Sequence, residues 1–320
     1  MSKKRRRLSK ERAEEKRTPN RGEDLLAWER AASAGWRWFT GPQAIERLEL
    51  LRILVPLTVL GFMAARLLHA DHWLGTAGYH VPDLGGDYRQ PLYLAPLPVW
   101  AAWSVALTMV FSGLALSLGL FTRLASGLFA ASLVYVALAD RLAAFTVSKL
   151  GAVLAIALFV SPCGARFGVD AWRRIRRGGV KPTQVSGPMV RFFQIVLVAF
   201  YCCSGICKAK ADWLSNGHIL WSHLYDSYQT AFSYQVANLT PSWVWPWLQG
   251  ITLVYEAFAP LLFALPVVRR LALGWGLLMH AMIGLMFGPV VYFSLMMCSL
   301  LLGCFLPLPW LERVLGRLPG

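Results

Sequence analysis

Apolar residues in this chain fall into long unbroken runs rather than into short alternating ones. Eight runs lie near the bilayer-spanning length of about 20 residues, at roughly 48–68, 97–120, 123–139, 144–162, 190–208, 242–265, 269–287 and 291–308. A lipid environment leaves backbone donors and acceptors no outside partner, and these runs are too long and too unalternating for barrel strands. The pattern therefore predicts an all-α fold, a polytopic membrane bundle of about eight transmembrane helices. Leu120, Phe121, Thr122 and Arg123 alone separate the second and third runs, which predicts a tight antiparallel hairpin. Trp28, Trp36 and Trp38 suit an amphipathic helix lying at headgroup level. Leu220, Leu224, Tyr228 and Phe232 recur at helical spacing within 209–241, and Trp243, Trp245 and Trp247 mark the next span's mouth. The expected organisation is a disordered basic arm over 1–24, an interfacial helix over 25–43, a transmembrane domain over 44–310 and a short tail over 311–320.

Composition sharpens this picture. Of 320 residues, 56% are hydrophobic and 15% charged, against about 45 to 50% and about 25% in soluble domains. Residues 1–47 hold 13 of the 32 Lys and Arg, so a large share of the +15 net charge sits in one polar arm. No nucleic-acid-binding motif accompanies that charge, and the lipid bilayer is its expected partner. The remaining cations fall between apolar runs: Arg123, then Arg166, Arg173, Arg174, Arg176, Arg177 and Lys181, then Arg269 with Arg270, and Arg313 with Arg317. Cationic loops resist translocation, so this alternation predicts both termini on the cytoplasmic side. The expected location is a bacterial inner membrane, crossed several times.

Ionisable residues within apolar helices are costly, which makes each a functional candidate. Lys208 ends the fifth run. Desolvation there would favour a neutral amine able to take a proton, whereas Asp212, one turn on if the helix continues, would hold it charged by an ion pair. Glu256 and His280 lie twelve residues either side of a turn near Val268. At 1.5 Å per residue both reach about 18 Å depth, so they are expected to meet near the midplane, with Lys208 roughly 10 Å higher. Such a pair can shuttle a proton or simply lock the bundle.

Other signals are weaker. His69, Asp71, His72, His80, Asp83 and Asp87 share an outer loop without a zinc spacing, and no metal is expected. The six cysteines form no disulfide framework. Phosphate-binding loops and hydrolase elbows are absent, as is the internal repeat typical of carriers.

The run Tyr201, Gly205, Lys208, Asp212, Trp213 and Gly217 resembles the vitamin K-dependent gamma-carboxylase superfamily, also called the HTTM domain. Pro96-Leu97-Pro98, Gly119, Arg123, Asp140, Arg52, Glu256, Arg269, His280 and Phe293-Ser294 extend the likeness nearly without gaps over about 44–308. The resemblance implies that Lys208 is the base acting on a reduced quinone, vitamin K hydroquinone or menaquinol, with Glu256 and His280 shaping a cavity open to the non-cytoplasmic side. The implied activity is oxygenation of that quinone to its epoxide, with coupling to carboxylation of peptide glutamate in the carboxylating members. Val147 stands where those members carry a histidine associated with carboxylation. Because other members serve in the maturation of secreted peptides, a non-catalytic accessory role in maturation, export or immunity of such a peptide is the second expectation.

Overall fold

A computed structural model describes residues 21–78, 94–140, 146–225 and 229–316. The basic arm over 1–20, most of the first outer loop and residue Tyr228 lie outside the described residues. In chain order the elements are α1 (Arg21–Thr40), β1 (Gln43–Ala44), α2 (Glu46–Leu67), α3 (Ala70–Trp73), α4 (Val99–Leu118), α5 (Thr122–Ala139), α6 (Thr146–Val160), α7 (Val169–Arg176), β2 (Gln184–Val185), α8 (Gly187–Lys210), α9 (Ile219–His223), α10 (Ala231–Leu239), α11 (Val244–Ala257), α12 (Ala259–Ala264), α13 (Pro266–Met286), α14 (Val291–Phe305) and α15 (Leu308–Leu315). The fold is helical as the apolar runs predict. A two-residue antiparallel ribbon pairs Gln43 with Val185 and Ala44 with Gln184.

Every apolar run coincides with helix, but the helices differ in reach. Helices α2, α4, α5 and α8 are each long and apolar enough to cross a membrane, and α14 with α15 adds a fifth if that pair, bent by 113°, is one span. The shorter α6 has 15 residues. The run at 242–265 is broken at Phe258, because Pro260 just beyond lacks the N–H that would continue the ladder. Pro266 then opens α13.

Helix α2 is the hub, packed on α4, α6 and α14. Its Leu48, Leu51, Val55, Val59 and Met63 are fully buried and spaced three or four residues apart, the stripe that an embedded helix face requires. The α4–α5 hairpin forms as expected, with left-handed Gly119 (φ 70°) ending α4 and left-handed Phe121 (φ 45°) preceding α5. Asp170 secures that turn by accepting from the Phe121 and Thr122 amides at 3.1 and 2.7 Å and from the Thr122 hydroxyl at 2.8 Å.

At the same end a buried polar cluster ties three segments together. Arg52 donates to Glu49 at 3.0 Å and to the Leu116 and Ser117 carbonyls at 2.6 and 2.8 Å. Glu49 in turn accepts from the Gly164 and Arg166 amides at 3.0 and 2.8 Å, and Arg166 pairs with Glu46 at 2.8 Å. The C-terminal stretch remains helical to Leu315, and Leu311 and Leu315 are buried with Leu50 and Phe167.

Between α8 and α11 the described residues place the expected surface helix in two pieces, α9 and α10. Thr230 and Ser233 form a reciprocal capping box that starts α10 afresh, and the Thr230 hydroxyl also donates to the Leu285 carbonyl at 3.0 Å.

Candidate functional site

Helix α8 carries Tyr201, Ser204, Gly205 and Lys208 on neighbouring turns of its last half. Gly205 is where α8 meets α11: a Cβ there would stand 2.7 Å from Ala257 Cα and 2.9 Å from the Glu256 carbonyl carbon. With no side chain in the way, the two backbones approach closely enough for Lys208 to reach Glu256. The Lys208 ammonium donates to a Glu256 carboxylate oxygen and, at 2.9 Å, to the Ser204 hydroxyl one turn earlier. The pair is sheltered, with Lys208 25% exposed and Glu256 8%. Trp213 closes over it, its ring centroid 5.1 Å from the amine.

The loop bearing Trp213 is fixed by a residue that the sequence reading passed over. Gln249, buried on α11, donates to the Trp213 and Asn216 carbonyls at 2.6 and 2.8 Å and accepts from the Leu220 amide at 3.3 Å. Gly217 passes against Pro246 in the same loop. Gln249 stands two turns before Glu256 on one helix face, and Ser204 one turn before Lys208, so helical spacing from the candidates themselves was the signal available for both.

The second constellation is Tyr201 with His280. The Tyr201 hydroxyl and His280 Nε2 lie 2.8 Å apart in a buried setting, and His280 is 2% exposed. Tyr255 packs edge-on to Tyr201 with ring centroids 5.3 Å apart, and Phe293 edge-on to His280 at 5.7 Å. His280 Nδ1 has no hydrogen-bond partner among the described residues.

Three expectations are corrected. Glu256 bonds to Lys208, and His280 to Tyr201, so no direct Glu256–His280 bond forms among the described residues. Lys208 does not stand a further 10 Å above Glu256, because a helical side chain leans back toward its own N-terminus and the apolar run holding Glu256 is broken at Phe258. Asp212 is not the lysine's partner either: α8 ends at Lys210, and Asp212 is exposed beyond it. The amine therefore rests in an ion pair, not free.

Several other residues of the quoted pattern are framework. Arg52 and Gly119 belong to the buried cluster at the opposite end of the bundle. Arg269 donates to the Phe263 and Ala264 carbonyls at 2.8 and 3.0 Å, capping α12. Asp140 accepts the Trp73 indole N–H at 2.7 Å. Of the outer-loop acids and histidines, His80, Asp83 and Asp87 lie outside the described residues, while His69, Asp71 and His72 bring no group of three metal-ligand side chains together among the described ones.

On α11, α12 and α13, lined by neither Lys208 nor Glu256, lies an open apolar groove of about 620 Å³. Trp247, Ile251, Val254, Tyr255, Leu271 and Trp275 line it. The Trp275 indole nitrogen and the Tyr255 hydroxyl are both buried without a hydrogen-bond partner among the described residues. An open apolar groove of this kind suits a hydrocarbon ring or chain.

The family model of the HTTM domain matches residues 42–310. No curated protein and no solved structure matches the chain.

Proposed function

Since the chain belongs to the HTTM family, within the vitamin K-dependent gamma-carboxylase-like superfamily, we propose that it is a membrane enzyme whose Lys208–Glu256 pair takes the hydroxyl proton of a reduced quinone, vitamin K hydroquinone or menaquinol. The observation that carries this reading is the sheltered pair itself, an amine and a carboxylate joined between two helices under Trp213. Charged groups at such a place are expensive to desolvate, and proton chemistry is a common reason to keep them.

The quinone, when bound, supplies the electrons that oxygen takes up. The chain's own groups do the proton work. As an ammonium Lys208 has no lone pair, so the amine must first pass a proton to Glu256, with which it already shares a hydrogen bond. The amine then accepts the hydroxyl proton, and the pair gains one positive charge, which the Trp213 face stabilises. Ser204 keeps the amine oriented throughout. The groove's apolar walls fit the hydrocarbon part of a lipid quinone in chemical character.

Carboxylation of peptide glutamate is not part of this reading, because Val147 is fully buried in the core and offers no proton acceptor. The cationic clusters lie at the end of the bundle away from Lys208, which supports cytoplasmic termini and an outward-facing site.

The test is direct. Full-length protein in lipid nanodiscs, given menaquinol or vitamin K hydroquinone and oxygen, should form quinone epoxide, and Lys208→Ala should remove that activity without loss of fold. A folded wild type that forms no epoxide would overturn the proposal.

One observation favours a second reading, a non-catalytic accessory of a secreted peptide's maturation, export or immunity. Lys208 already has its carboxylate, and an ion pair of this kind also serves as interhelical glue.

A further inference from the structure

Two cavities meet at the end of the bundle opposite Lys208. One, of about 430 Å³, is lined by Arg173, Arg174 and Arg177 with Asp170 and Phe121. The other, of about 360 Å³, is an apolar groove between α4 and α5 whose walls include Leu107, Phe111, Ala115, Leu124 and again Phe121. From the shared residue Phe121, and from nothing in the quinone reading, we infer that these are the head and chain subsites of one anionic phospholipid.

The charge balance favours an anion. Three arginines face one carboxylate, and Asp170 is committed inward, accepting from the Phe121 and Thr122 amides and the Thr122 hydroxyl. Arg173 sits over the Phe121 ring at 5.4 Å, and Arg174 donates to the Ala165 carbonyl. Neither Arg173 nor Arg177 has a carboxylate partner among the described residues. Their guanidinium forks therefore remain available to phosphate oxygens.

Geometry favours a lipid over a free anion. Phe121 is held left-handed and 61% exposed, at the seam where the basic hollow ends and the apolar groove begins. The carrying helix α7 buries Ala171 and leaves Trp172 exposed under the Arg176 guanidinium, 4.1 Å from the ring centroid, as suits a helix at the membrane surface. A ligand filling both hollows needs a phosphate at one end and a hydrocarbon chain at the other.

The experiment is native mass spectrometry of the full chain in detergent, titrated with phosphatidylglycerol or with phosphatidylcholine of the same chains. Phosphatidylglycerol should be retained preferentially. Arg173→Gln with Arg177→Gln, both at exposed positions, should weaken that retention by roughly fivefold per arginine, the factor for one basic side chain at an anionic membrane surface. Ala115→Trp, which fills the groove and spares the arginines, should lower phosphatidylglycerol retention independently. Equal retention of the two lipids, or an unchanged preference in the double variant, would overturn the inference. So would inorganic phosphate raising the melting temperature as much as phosphatidylglycerol does, which would leave only a phosphate pocket.

Discussion

Gly205 on α8 touches the backbone of α11 at Glu256, with only 2.9 Å between a Cβ placed on the glycine and the Glu256 carbonyl carbon. The Lys208–Glu256 contact depends on this approach, because any side chain at 205 separates the helices. Gly205→Val should therefore lower the melting temperature in detergent and abolish epoxide formation, whereas Gly274→Ala, in open space on α13, should change neither. Equal tolerance of both would mean that the helices have room to spare.

The pair itself separates catalysis from glue. Removing one partner leaves a desolvated charge, so Lys208→Met or Glu256→Met alone should each cost about 3 to 5 kcal/mol, less whatever water relieves at the quarter-exposed amine. The double variant should recover most of that loss, giving a strong coupling term in a double-mutant cycle read by chemical unfolding. It should still form no epoxide. A double variant as active as wild type would reduce the pair to a structural contact.

The helical layers were legible because apolar periodicity reports on solvent, and solvent decides which segments must close their own hydrogen bonds. The pairings inside the site were not. Lys208, Glu256 and His280 stood out as polar residues in apolar surroundings, but their partners depend on Gly205 and on the break at Phe258. The depth arithmetic assumed straight rods, and a single proline two residues beyond that break defeats it. Tyr201 and Gly217 entered only through resemblance, and their roles, a bond to His280 and passage over Pro246, become visible in three dimensions.

Cys163 provides a test of packing at the cationic end. It lies in the turn after α6, outside the spans, and burial pushes its thiol up from 9.0 to about 11. Only about a thousandth would be thiolate at pH 8. Alkylation of a variant keeping this cysteine alone should be slow at neutral pH, quicken with rising pH, and become fast at once in denaturant. The raised value also means that the folded state holds its proton longer. The resulting stability is full below about pH 9 and declines as pH climbs toward 11. Fast labelling of the native chain at pH 7 would show that the turn is open.

Arg52 makes the most exacting demand on side-chain shape. Its fork reaches Glu49 on its own helix and the Leu116 and Ser117 carbonyls at the end of α4, all while 1% exposed. Lysine keeps the charge but has one nitrogen where three now donate, so Arg52→Lys leaves the α4 carbonyls or Glu49 short of a partner. The expected cost is about 3 kcal/mol or more, the range for breaking a buried pair. Gly119→Ala should destabilise by a separate route, since its backbone is left-handed at φ 70° and a Cβ would stand 2.8 Å from the Arg52 guanidinium. Because both changes strike one contact, their combined effect on the unfolding midpoint should fall short of the sum. A strictly additive result would show that Gly119 and Arg52 hold the α4–α5 turn independently.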